Sequence, residues 1–137
     1  MIELADTSAW TARHRAPALR AEFDARVTGG RIATCRPVVL ELLTEARSAA
    51  DLEHKREGLD ALRDLPVRRR ERDRAADVMH ALAAVGGGRH RLPVVDLLVA
   101  AAAEAAEVPV LHYDHHFELI AEVTGQPVHA LAPLGSV

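Results

Sequence analysis

Cysteine, lysine and aromatic residues are scarce in this chain of 137 residues. The single cysteine, Cys35, excludes an internal disulfide and a zinc site built from several cysteines, and it agrees with a reducing compartment. We interpret it as a small buried hydrophobic residue. Aromatic side chains make up only 3% of the sequence, so we expect a core built from Leu, Val and Ala.

A long hydrophobic run is also missing. The longest one, Leu97–Ala103, is far too short to cross a bilayer. The opening Met-Ile-Glu lacks the basic segment that precedes the apolar part of a signal peptide. We therefore expect a cytoplasmic protein that does not associate with membranes.

Positive charge is not in excess, because 17 basic and 20 acidic residues give a net charge of −3. A chain of this charge has no global positive field that would attract nucleic acid, so any such contact must be local. The densest basic run, at residues 68–74, reads Arg-Arg-Arg-Glu-Arg-Asp-Arg. This mixture of charges predicts a solvated helix start with internal ion pairs, and RNA contact is the alternative.

Strand-like and helix-like segments alternate along the whole chain. The strand-like segments are Ile2–Ala5, Ile32–Cys35, Leu65–Val67, Val108–Tyr113 and Pro127–Leu131. Between them, apolar residues recur at helical spacing, for example at Leu19, Phe23 and Val27. This alternation favours a three-layer α/β/α fold with a central, mostly parallel sheet, formed by a single domain over residues 1–137.

Two acidic residues follow strand-like segments directly. Asp6 ends the first of these strands and is followed by Thr7 and Ser8, and Asp114 ends the fourth. Ligands of a parallel sheet collect outside the carboxyl ends of its strands, so both acids are placed where chemistry usually occurs. The alternative for Asp6 is a purely structural role as the N-cap of the next helix.

Two further acids lie near the starts of predicted helices. Asp96 follows Pro93 within an apolar helix, and its neighbours at helical spacing, Val99, Ala100 and Ala103, predict a packed face. A buried carboxylate needs a cation, a metal or a proton. Glu41 has neighbours of mixed polarity, so periodicity leaves it open whether its side chain faces water or a cleft.

Together these residues form a set of four acids with nothing basic adjacent to neutralise them: Asp6, Glu41, Asp96 and Asp114. Carboxylates that converge repel one another, and they are the groups that bind hard divalent cations such as Mg²⁺ or Mn²⁺. Such a cation lowers the pKa of a bound water and holds the oxygens of a phosphodiester.

The segments around these acids resemble the PIN domain, and most closely the VapC-type toxins. The resemblance rests on Asp6-Thr7-Ser8-Ala9-Trp10, Val39-Leu40-Glu41-Leu42-Leu43, Val95-Asp96-Leu97-Leu98-Val99-Ala100-Ala101 and His112-Tyr113-Asp114. It implies a PIN-like fold and a metal-dependent endoribonuclease that is active when released from a small antitoxin protein. It also implies Asp6, Glu41, Asp96 and Asp114 as metal-binding acids, with Ser8 as a polar neighbour of the metal or the scissile phosphate.

Partner surfaces are expected as well as an RNA substrate. The resemblance implies a cognate antitoxin and a homodimer, and the weakly amphipathic segments Leu52–Leu62 and Val78–Val85 could offer a groove to a partner helix. The alternative for both segments is ordinary core packing.

One position departs from the resemblance. Many PIN domains carry a second acid two residues after the last one, where this chain has His116. Imidazole suits Mn²⁺ or Zn²⁺ better than Mg²⁺, so we expect one weakened Mg²⁺ site. Alternatively, His116 donates a proton to the leaving group or contacts RNA, or it forms a transition-metal site with His112 and His115.

Two other functions fit parts of the same pattern. One is a PIN-like protein-binding module without significant nuclease activity. The other is a phosphatase with Asp6 as nucleophile, but its signature requires a second acid two residues later, where this chain has Ser8.

Overall fold

Five short parallel strands form the centre of the computed structural model, which describes residues 1–137. The strands are β1 (Glu3–Ala5), β2 (Ile32–Cys35), β3 (Arg63–Leu65), β4 (Val110–His112) and β5 (Val128–Ala130). Their order in the sheet is β3-β2-β1-β4-β5, and every neighbouring pair is parallel. The strand that carries Asp6 at its end is therefore central, and the strand that precedes Asp114 is its direct neighbour.

Seven helices connect and cover these strands. They are α1 (Thr7–Ala12), α2 (Pro17–Thr28), α3 (Arg36–Leu43), α4 (Ala49–Asp60), α5 (Arg69–Val85), α6 (Val94–Ala106) and α7 (His115–Thr124). None of them combines the length and the apolar character that are needed to span a bilayer. The three-layer α/β/α fold that the sequence predicts is thereby confirmed.

Alternate residues of the strands bury opposite faces of the sheet. Leu4 and Val110 belong to a core cluster of 17 buried residues, whereas Ala5 and Leu111 belong to a second cluster of 7. This alternation follows from the pleat of a strand, which directs successive side chains to opposite faces. Because helices cover both faces, the strands are apolar on both sides and leave no side free for a ligand. Ligands are left with the carboxyl edge of the sheet.

Strand β3 lies two residues earlier in the chain than predicted. Leu65–Val67 was expected as the strand, but Arg63, Asp64 and Leu65 pair with β2 instead. Pro66 has no N–H to donate to a ladder, and this favours an end of the strand before it. The exposed charges of Arg63 and Asp64 are typical of an edge strand, where they discourage pairing with other chains.

The arginine-rich start of α5 carries the ion pairs that its sequence predicts. Arg69 lies 3.8 Å from Asp73, and Arg74 makes a two-point contact with Glu104 of α6, at 2.7 and 3.1 Å. The latter contact fixes the start of α5 against the end of α6. These two antiparallel helices therefore place the end of α5 close to the start of α6, where Asp96 lies.

Candidate active site

Asp6 both caps a helix and presents a free carboxylate oxygen. It lies between the end of β1 and the start of α1, and its Oδ2 accepts a hydrogen bond from the Ser8 N–H at 2.9 Å. The other oxygen, Oδ1, is buried without a hydrogen-bond partner, and the residue as a whole is 3% exposed. Burial raises the pKa of Asp6, and the nearby charge of Glu41 raises it further. The capping role is real, but it leaves half of the carboxylate unsatisfied.

Ser8 connects the ends of the two central strands. Its Oγ accepts a hydrogen bond from the Tyr113 N–H at 2.9 Å, across 105 residues of sequence. Both its hydroxyl and its backbone N–H oppose the rise in the pKa of the Asp6 carboxyl. Ser8 therefore holds α1 against the end of β4, next to Asp6.

Glu41 faces the site. It lies on α3, and its Oε1 accepts a hydrogen bond from the Thr7 Oγ1 at 2.7 Å. Thr7 follows Asp6 directly, so this contact holds the two carboxylates at neighbouring positions, and the charge of Glu41 helps to raise the pKa of Asp6. Periodicity left this orientation open because the contact joins residues that are 34 apart in sequence.

Asp96 is buried, as its apolar neighbours predict. It lies in the first turn of α6 and is 9% exposed. Burial raises the pKa of Asp96 to about 6, and the negative charges of Asp6 and Asp114 act in the same direction. The hydrogen bond to His116 opposes this rise, since Asp96 Oδ2 lies 2.9 Å from His116 Nδ1.

Asp114 lies at the start of α7 and shares His116 with Asp96. Its Oδ1 accepts a hydrogen bond from the His116 N–H at 3.0 Å and also lies 3.2 Å from His116 Nδ1. The expectation of no basic neighbour for these acids is wrong in three dimensions. The imidazole of His116 lies between two of the four carboxylates.

His112 holds the backbone of Asp114 in place. The Asp114 N–H donates a hydrogen bond to His112 Nδ1 at 3.1 Å, so the proton of the neutral ring is on Nε2, which lies 3.2 Å from Glu118 Oε1. The ring is fully buried and packs against Phe117, with ring centroids 5.3 Å apart. Burial lowers the pKa of His112, in agreement with a neutral ring. Sequence reasoning missed this supporting role.

The cluster of possible metal ligands contains Asp114 in place of His112. A site of His112, His115 and His116 is wrong, because His112 Nδ1 is engaged by the backbone and its ring is buried. The side chains whose ligand atoms lie within 4.8 Å of one another are Asp114, His115 and His116.

The four acids are arranged along one edge in a chain of neighbours. Glu41 acts electrostatically on Asp6, Asp6 acts on Asp96, and Asp114 acts on Asp96. Asp6 has a buried oxygen without a hydrogen-bond partner, and the pKa of Asp96 is raised. Both observations indicate negative charge that nearby positive groups do not fully neutralise. The donor set consists of carboxylate oxygens and one imidazole, and it fits a divalent cation.

An apolar groove lies beside this edge. It has a volume of about 460 Å³, and its lining includes Trp10, Leu42, Leu59 and Leu62. Arg13 stacks over the ring of Trp10 at 4.9 Å from its centroid. The segment Leu52–Leu62 thus contributes to a groove, as predicted.

The other predicted groove segment belongs to the core. In Val78–Val85, Val78 is 6% exposed and Leu82 is fully buried, and both belong to the larger core cluster. The expectation of a partner groove on this segment is wrong, because α5 packs this face against α6 and α7.

Solved structures with the same fold include toxin–antitoxin complexes. VapBC2 from Rickettsia felis, bound to a promoter DNA fragment, superposes with a TM-score of 0.72 at 14% identity, covering 95% of this chain and 98% of that one. DNA-bound VapBC from Salmonella typhimurium gives a TM-score of 0.72 at 18% identity, covering 96% and 100%. At these identities the likeness establishes the fold.

Sequence comparison identifies the family. The chain is 37% identical to Ribonuclease VapC18 of Mycobacterium tuberculosis over 100% of both proteins, and 34% identical to Ribonuclease VapC51 of the same organism over 88% of this chain and 87% of the relative. The family model of the PIN domain matches residues 4–123, which include all four acids. The chain therefore belongs to the PIN domain family.

Proposed function

We propose that this protein is a metal-dependent endoribonuclease and the toxin of a toxin–antitoxin pair. One observation carries the proposal: Asp6 has a buried, unpartnered carboxylate oxygen at the centre of an acidic edge, beside Glu41 and Asp96. Ribonuclease VapC18, which matches this chain over its whole length, is a ribonuclease, and this supports RNA as the substrate. The same relatives do not favour the alternative of a binding module without nuclease activity.

Asp6, Glu41, Asp96 and Asp114 would hold the metal, for which we propose Mg²⁺ or Mn²⁺. When bound, such a cation supplies Lewis acidity and lowers the pKa of a water molecule toward neutrality. Hydrolysis then requires no nucleophile from the protein. Cys35 cannot provide one, because burial raises the pKa of its thiol to about 12.

The residues around the acids determine their orientation. The Thr7 hydroxyl fixes Glu41, the Ser8 hydroxyl ties α1 to the end of β4, and His112 fixes the backbone of Asp114. These contacts hold the carboxylates in place before substrate arrives, which is the preorganisation that charge stabilisation in a transition state needs. The burial of Asp6 and Asp96 also keeps bulk water from screening their charges.

Cleavage of a fluorogenic RNA by the purified protein tests the proposal. We expect cleavage with Mg²⁺ or Mn²⁺, none after EDTA, and a loss of at least about a hundredfold in rate for Asp6→Ala and for Asp96→Asn. Asp77→Ala is the matched control, since Asp77 is an exposed acid on α5. Cleavage that persists in Asp96→Asn or in EDTA would overturn the assignment.

We propose a small antitoxin as the partner and the apolar groove of Trp10, Leu42, Leu59 and Leu62 as part of its binding surface. The lining of the groove combines these apolar residues with charged ones, among them Arg13, Glu45 and Lys55. An amphipathic helix fits such a surface through its apolar face.

A homodimer is also proposed. Light scattering at micromolar concentration tests it directly, and a monomeric mass would contradict it.

A further inference from the structure

The imidazole of His116 occupies a position between two acids of the edge. Its Nδ1 lies 2.9 Å from Asp96 Oδ2 and 3.2 Å from Asp114 Oδ1. Asp96 comes from the start of α6 and Asp114 from the start of α7, so His116 joins acids from two separate elements. A single ring nitrogen therefore faces two carboxylate oxygens that belong to the acidic edge.

These distances match the spacing of ligand atoms around one metal ion. Adjacent ligands of an octahedral ion, bound at about 2.1 Å, lie about 3.0 Å apart. Tetrahedral ligands at about 2.0–2.1 Å lie about 3.3 Å apart. The two separations from His116 Nδ1, 2.9 and 3.2 Å, fall at this spacing.

A second observation points to a cation at this edge. Asp6, whose charge acts on Asp96, has its buried Oδ1 without any hydrogen-bond partner. His116 offers its nitrogen to Asp96 and Asp114 but leaves this oxygen unsatisfied. A buried carboxylate oxygen of this kind needs a cation, a metal or a proton, and the ring of His116 supplies none of these to it.

We propose that His116 Nδ1 is itself a metal ligand and, with Asp96 and Asp114, makes a mixed nitrogen–oxygen site that selects Mn²⁺, Co²⁺ or Zn²⁺ over Mg²⁺. The inference rests on the proposed function, in that it assigns the metal preference of the same acidic edge. Without a metal, the Nδ1–H of His116 donates to the Asp96 carboxylate. Coordination requires the lone pair of Nδ1, so the metal replaces this proton and the bound ring is neutral with its proton on Nε2.

The preference follows from the ligand atoms. Mg²⁺ is a hard ion that takes oxygen ligands and retains several waters, and it gains little from an imidazole. Affinity for sites that contain nitrogen rises from Mn²⁺ through Co²⁺ and Ni²⁺ to Cu²⁺, and imidazole also suits Zn²⁺. His115, whose Nδ1 lies 3.5 Å from Asp114 Oδ1, is mostly exposed and belongs to the same cluster of possible ligand atoms.

Titration of the metal-free protein with Co²⁺ and with Mg²⁺, followed by calorimetry and by visible absorption for Co²⁺, tests the proposal. We expect Co²⁺ to bind at least about tenfold more tightly than Mg²⁺. His116→Ala should weaken Co²⁺ binding by at least about tenfold, because even the loss of an outer-shell partner costs about 10–100-fold in metal affinity. His116→Asp should strengthen Mg²⁺ binding and abolish the preference.

His80→Ala is the matched control, because His80 is an exposed histidine on α5 that forms no hydrogen bond or ion pair with any of the four acids. Its Co²⁺ affinity and spectrum should equal those of the wild type. Equal Co²⁺ affinity of wild type and His116→Ala would overturn the proposal, as would equal affinity of the wild type for Co²⁺ and Mg²⁺.

A measurement on the wild type removes any dependence on the folding of variants. Long-range proton–nitrogen spectra resolve the ring nitrogens of each histidine, and Zn²⁺ should shift the Nδ1 resonance of His116. An unshifted resonance at saturating Zn²⁺ would refute coordination by this nitrogen.

The two proposals fail separately. A protein that binds Co²⁺ through His116 but cleaves no RNA with any metal supports the mixed site and overturns the nuclease. A protein that cleaves RNA with Mg²⁺ while His116→Ala keeps full Co²⁺ affinity supports the nuclease and overturns the mixed site.

Discussion

Asp96→Asn should stabilise the metal-free protein at neutral pH. Asparagine has nearly the shape of aspartate and removes only the charge of a side chain that is 12% exposed. Its amide can still pair with His116 Nδ1, which lies 2.9 Å from Asp96 Oδ2 in the wild type. The substitution therefore isolates the cost of holding a negative charge beside Asp6 and Asp114.

The size of this effect follows from the pKa of Asp96. Raising this pKa from its ordinary value of 3.8 to about 6 corresponds to about 3 kcal/mol of stability that is missing at pH 7. The folded protein binds the carboxyl proton of Asp96 more tightly than the unfolded chain does. Protonated Asp96 therefore contributes this stability fully below pH 3.8, and the contribution is lost as pH rises through about 6. Burial also raises the pKa of Asp6, which acts in the same direction.

Thermal unfolding in EDTA at pH 5 and pH 7 measures the effect. For a domain of this size, about 3 kcal/mol corresponds to an increase of about 10 °C in the Tm of Asp96→Asn at pH 7, and to a smaller increase at pH 5. Saturating Mg²⁺ or Mn²⁺ should raise the Tm of the wild type and not that of the variant. A variant that melts at or below the wild-type temperature in EDTA at pH 7 would refute the reasoning.

Three further changes test other parts of the molecule. Leu59→Glu places a charge in the apolar groove, so it should weaken antitoxin binding at least about tenfold and leave RNA cleavage unchanged. Leu52→Glu, on the same helix but outside the groove, is its control, and equal antitoxin affinity of the two variants would count against the groove. Thr7→Val removes the hydrogen-bond donor to Glu41, and we expect kcat to fall about tenfold while the Tm changes little. An unchanged kcat would show that this contact does not affect catalysis. Leu82→Ala removes a fully buried side chain and should lower the free energy of unfolding by about 3 kcal/mol in urea titrations, whereas a loss below about 1 kcal/mol would mean that the site collapses around the cavity.

The sequence predicts the fold well because its hydrophobic pattern and its turns agree. Ile32–Cys35 is apolar apart from Thr34 and is a strand with both faces buried. The predicted position of the edge strand β3 is wrong because Arg63 and Asp64 are both charged and show no alternation of apolar and polar residues. Their pairing with β2 is imposed by the sheet, and such an override of local propensity is common for edge strands.

The site was predictable where burial could be read from neighbouring residues. Asp96 has apolar neighbours on its helix, and its burial followed from them. The contact of Glu41 with Thr7 and the position of His116 between Asp96 and Asp114 join different elements, so helical periodicity contains no information about them. The supporting role of His112 also depends on a backbone turn that only the folded chain forms.

The central strand of the sheet has a consequence for protein synthesis. Strand β1 pairs with β2 on one side and with β4 on the other, and these neighbours are synthesised early and late. A growing chain that ends before Val110 leaves one edge of β1 unpaired and lacks Asp114 altogether. Pairings over such long sequence separations form slowly and late. The acidic edge is therefore complete only after Asp114 has been synthesised and β4 has paired with β1.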